Sequence, residues 1–145
     1  MGHTATRATL VVLQAFVAFT TIFGALLVVP TLPLEWIQRG PMSDYTIPAI
    51  VLGVVCGGTA LAALLLLLVD SENAGAASMV AGAMVIAFEL VEILVVGLSI
   101  VVHGADNLVS WLQVFYIGIG IVAVVLGYRL WHLATTPWTV RRPAH

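Results

Sequence analysis

The sequence predicts an all-α membrane protein, a four-transmembrane-helix bundle with its N- and C-termini cytoplasmic, and three observations lead to it. The 145-residue chain is 61% hydrophobic and 8% charged, with a mean hydropathy of +1.13, whereas an ordinary soluble domain carries about 25% charged residues. Its apolar residues gather into four windows, each matching the roughly 20 residues that a helix needs to cross about 30 Å of hydrocarbon. The alternation of polar and apolar side chains over segments of about ten residues that marks a membrane β-barrel is missing. Helices then remain as the way to satisfy the backbone in lipid.

The first window covers residues 8–29 and stops at Pro30. Its charge order resembles a signal peptide, but the apolar stretch exceeds the usual run of about 7–15 residues, so a retained helix is expected. Thr20 and Thr21 fall near its middle, with Gln14 lower on the Thr21 face. The outer segment, residues 30–46, follows. Glu35 and Arg39 stand four apart within LEWIQR and can pair on a short interfacial helix, while Ser43, Asp44 and Tyr45 offer a cap and an aromatic anchor for the second window. Glu35, Arg39 and Asp44 are therefore outer-segment candidates, either as parts of an ordered lid or as a substrate gate.

The second window, residues 47–69, stops at Asp70 and carries Gly53 and Gly57 at a spacing that lets a neighbour approach closely. Its Cys56, alone of its kind in the chain, cannot form an internal disulfide and reads as a small packing residue. The third window spans residues 76–102 and the fourth residues 108–131. Together the four make a single membrane domain.

Orientation follows from Lys and Arg near the helix ends. Arg7, Arg129, Arg141 and Arg142 flank one side and Arg39 the other, so the termini should be cytoplasmic. Trp36, Trp111, Trp131 and Trp138 all fall near the implied interfaces. The net charge of -2, with basic residues that are all arginine and form no stripe, argues against nucleic acid as a partner.

The third window carries the chemistry. In AFELVEIL, Glu89 and Glu92 lie three apart and share a helix face, with Glu89 near the expected midplane. An ionisable group there costs at least ~2.5–3.5 kcal/mol on insertion scales and marks function by default. Stepping outward along the face gives Val96, Ser99 and His103; stepping inward gives Val85, Gly82 and Ser78. This polar stripe can pass protons or cations to a carboxylate pair, of which at least one member should be protonated near neutrality. A purely structural alternative has the acids act as interhelical glue. On the fourth window Gln113, Tyr116 and Gly120 share a face, and Gln113 and Tyr116 could donate to a carboxylate. If a metal is bound, Glu89 and Glu92 are its candidate ligands.

Other chemistries fit poorly. A di-metal site wants Glu-x-x-His motifs on paired helices, and His103 and His132 stand about a membrane apart, too far for one haem. The Glu-x-x-Glu element resembles the acidic motif of iron permeases, but Phe88 replaces the arginine that precedes their first glutamate. No phosphate loop or nucleophile elbow is present, and neither a cofactor nor an enzymatic activity is expected.

The combination of PLEWIQRGPMSDYTIPAIVLGVVCGG, FELVEI and WLQVFY resembles a group of small four-helix bacterial membrane proteins that is itself uncharacterised. That resemblance implies a prokaryotic cytoplasmic membrane and supplies no activity. The expectation from the residues is an oligomeric proton- or cation-conducting protein, a channel or coupled transporter built on Glu89 and Glu92. The alternatives are an accessory or scaffold subunit of a larger membrane complex and a lipid- or quinone-binding protein.

Overall fold

The computed structural model describes residues 2–31, 44–94 and 108–135, and among them there are helices and no strands. Four helices are long and apolar enough to cross a membrane: α1 (His3–Thr31), α2 (Thr46–Leu68), α3 (Ala74–Glu92) and α4 (Leu108–Thr135). They alternate in direction. Arg7 and the Leu67–Asp70 stretch meet at one end, as do Gly75 and Trp131.

Local chemistry explains the helix ends. α1 begins at His3, ahead of the first apolar window, because the polar Thr6 closes a turn onto the Gly2 carbonyl through both its N–H, at 3.1 Å, and its hydroxyl, at 3.3 Å. Pro30 does not stop α1; the chain widens into a π-helical turn over Gly24–Val28 and tightens over Val29–Thr31. A proline ring collides with the carbonyl four residues before it in a regular helix, and the wide turn relieves that crowding. Pro48 falls in the first turn of α2, where a missing N–H costs nothing.

The C-terminus of α2 closes on Asp70, whose φ of 56° is left-handed, a conformation that Asp tolerates better than most residues. The Asp70 N–H reaches the Leu67 carbonyl at 3.4 Å and the Ser71 N–H reaches that of Leu66 at 3.0 Å, the paired bonds of a Schellman cap. Arg7 seals this end. Its Nε and one terminal nitrogen donate to the Leu67 carbonyl at 2.9 and 2.6 Å, and its other terminal nitrogen pairs with Asp70 at 2.5 Å.

Lipid offers no hydrophobic drive between helices, so close packing of small residues has to hold the bundle. The closest seam joins α3 to α4. A β-carbon on Gly75 would stand 2.7 Å from the Gly127 carbonyl oxygen, and one on Gly82 would stand 2.6 Å from that of Gly120. Between α1 and α2, Gly53 meets Ala25 and Gly57 meets Ile22, so the expected packing role of these two glycines is what is seen. Cys56 is buried among Val17, Ala18, Ala60, Ala81 and Val85, as a small core residue.

Candidate functional site

Two registers set the level of the acid pair. On the α2 side, Cys56 Sγ lies 3.7 Å from the Met84 carbonyl oxygen. Glu89 is five residues further along α3 and, against an antiparallel neighbour, stands level with about Val51. On the α4 side, Gly75 packs on Gly127 and Gly82 on Gly120. One number rises by seven as the other falls by seven, so the next rung of the ladder is Glu89 against Gln113. Both side chains are buried there, Glu89 at 5% and Gln113 at 7% exposure.

Glu92, half-buried, follows one turn on, and its carboxyl group is within hydrogen-bonding reach of that of Glu89. Gln113 Nε2 has no hydrogen-bond partner. A buried amide donor left unpaired is uncommon and calls for an explanation. Tyr45, the residue before α2, is near enough to feel this group: burial first, and the Glu92 charge second, raise its phenol above the ordinary tyrosine value.

The backbone is irregular at the same depth. The wide turn of α1 touches α2 here, where a β-carbon on Gly24 would lie 3.6 Å from a Leu52 methyl. α2 itself is π-helical over Val51–Gly57, and α3 widens at residues 93–94, just past Glu92. Such turns are rare and frequently sit at functional sites. Three of them converge on the level of the two acids.

Within the bundle, Glu89 does not sit at mid-length. Glu89 lies ~22 Å along α3 from Ala74 at 1.5 Å per residue, and only about five residues in from the Thr46 end of α2. It therefore belongs to the half of the bundle nearer the α1–α2 connection. Centring a window of residues 76–102 puts Glu89 in its middle, and packing against α2 and α4 fixes its level relative to those helices.

The other candidates separate. Gln113 joins the acids. The Tyr116 ring stacks against Phe16 of α1, with centroids 6.5 Å apart and planes at 22°, so it is engaged on the α1 side. Asp44 lies just ahead of α2: its carboxylate accepts from the Thr46 N–H at 2.9 Å, and that bond holds its carboxyl below the usual range. Glu35, Arg39, Ser99 and His103 lie outside the described residues. Among those described, no group of three or more His, Cys, Asp or Glu side chains could hold a metal ion.

From the sequence Tyr45 reads only as an aromatic anchor, and no local pattern marks the wide turns. The seven-residue step shared by Gly75, Gly82 and Glu89 on one helix and by Gln113, Gly120 and Gly127 on another was legible, and it is the signal that pairs Glu89 with Gln113. An apolar groove of about 570 Å³ also opens between α1 and α4, lined by Thr9, Val12, Leu13, Phe16, Phe115 and Ile119. The chain matches no protein-family model, no curated protein and no solved structure.

Proposed function

We propose that the protein is an oligomeric integral membrane protein of a prokaryotic cytoplasmic membrane that binds and conducts protons or a small cation, with Glu89 and Glu92 as the binding groups. The observation that carries this reading is a pair of carboxyl groups within hydrogen-bonding reach of each other, one of them almost fully buried, on a helix long and apolar enough to span a membrane. A charge held there is costly, and such groups typically mark an ion or proton path. Tyr45 and the half-buried Glu92 give the pair an approach from the α1–α2 connection, which the arginine distribution places on the outer side.

Beyond Glu89 the α3–α4 seam narrows to backbone contact at Gly82–Gly120 and Gly75–Gly127. A single protomer has little room for a private path through that half. Passage there uses a surface shared between copies or a change in packing. The apolar groove is lined from Thr9 to Phe16 and by Phe115 and Ile119, and neither glutamate is among its lining residues.

Reconstitution into liposomes with an imposed pH, Na⁺ or K⁺ gradient tests the proposal. The wild type should dissipate at least one gradient, and the Glu89→Gln/Glu92→Gln protein should leave it at the background of empty vesicles. Equal flux from the two proteins would refute the reading. No flux from either, with a second protein retained on purification, would identify an accessory subunit instead.

A further inference from the structure

We infer that the ion handled at this site is the proton, and that Gln113 is the positioning donor that receives the Glu89 carboxylate when the pair gives its proton up. This rests on the reading of Glu89 and Glu92 as the binding groups.

Gln113 is nine-tenths buried, occupies the rung opposite Glu89, and has an amide Nε2 bonded to nothing. In the same structure the two carboxyl groups are within hydrogen-bonding reach of each other. That arrangement suits one shared proton: Glu89 donates its O–H, Glu92 accepts as the carboxylate, and Gln113 faces a neutral acid. When the proton leaves toward Tyr45 and the outer end, the carboxyl–carboxyl bond loses its hydrogen and two like charges face each other. Glu89 then gains an unsatisfied anionic oxygen one rung from an unsatisfied N–H. A donor to the charged form stabilises it, so each group satisfies the other. The balance is one proton out and one N–H···O bond in, with no other reactant.

An alkali or divalent cation wants oxygen ligands on all sides, whereas here the unsatisfied group is a nitrogen donor. The titratable and charged groups around the pair are few. Tyr45 precedes α2, and α2 itself presents Cys56 further in; α4 presents Gln113 and, one turn away, Tyr116; the α1 stretch Gly24–Val28 carries no titratable residue. No described cation stands beside the pair to take the place of the Gln113 dipole, since the ion pair of Arg7 lies at the far end.

Infrared difference spectroscopy of the full-length protein, titrated in pH, reads the neutral carboxyl C=O band directly. The band should vanish in Glu89→Gln/Glu92→Gln. In Gln113→Met, close in volume but without a donor, its loss should require about tenfold lower proton concentration than in wild type, the size expected for one hydrogen bond to a charged group. Gln113→Asn, which keeps a donor on a shorter arm, should fall between. Circular dichroism and gel filtration confirm that each variant is folded, and Gln113→Leu replaces Gln113→Met if that one is not. An unchanged titration in the folded donorless variant would overturn the role of Gln113. Loss of the band on adding Na⁺ or K⁺ at fixed pH would overturn the assignment of the ion. Absence of flux in liposomes with this titration intact would instead fault conduction and leave the proton site standing.

Discussion

At Tyr45 two causes act on one phenol, burial and the Glu92 charge, and substitution separates them. Replacing Glu92 with Gln removes the smaller cause, so an ultraviolet titration should show Tyr45 ionising at lower pH than in wild type while remaining above the ordinary tyrosine value. An unmoved titration would mean that Tyr45 and Glu92 are not neighbours. Asp44 works in the opposite direction. Its folded carboxyl is held below its ordinary value, so its contribution to the start of α2 is complete above the unfolded value and is lost as pH falls through the folded one. Asp44→Ala should speed amide exchange over the first turn of α2 at neutral pH, and Asp44→Asn, still an acceptor, should restore most of the protection.

The ladder of rungs between α3 and α4 makes a sharper demand on the elements. Gly82→Ala pushes a methyl to 2.6 Å from a backbone oxygen, and overpacking of that kind costs about 1–3 kcal/mol. Gly58, by contrast, has nothing within 4 Å of where its β-carbon would stand, so Gly58→Ala should gain about 0.5–1 kcal/mol by the helix preference alone. Thermal unfolding in one detergent, read for both variants, should move in opposite directions. Arg7→Ala removes bonds from a charged donor to the Leu67 carbonyl and an ion pair with Asp70, and it should cost about 2 kcal/mol in the same assay.

How much of this was legible follows from what each feature depends on. Four spans follow from composition and window length, because lipid admits few other structures. Gly82 as a close contact follows from stepping along one helix face. The level of Glu89 does not, since depth is set by which residue of a neighbour packs opposite, and an apolar window can slide by several residues without changing its hydropathy. The wide turns at Gly24–Val28 and Val51–Gly57 were illegible for a related reason: they answer to Pro30 and to packing between α1 and α2, and no local pattern announces them.

At the scale of the whole molecule, the small-residue seams close one half of the bundle and the acids, Gln113, Tyr45 and the widened turns gather in the other. Such a division suits a protein that admits an ion from one side and holds it on paired carboxyls. If Glu89 and Glu92 share one proton, they act as a unit, and units of this kind are non-additive. Proton flux into liposomes, measured for wild type, Glu89→Gln, Glu92→Gln and the double variant at equal protein content, tests this most directly. Each single substitution should bring the flux down to that of the double variant, at least tenfold below wild type. Wild-type flux from the double variant would contradict the account.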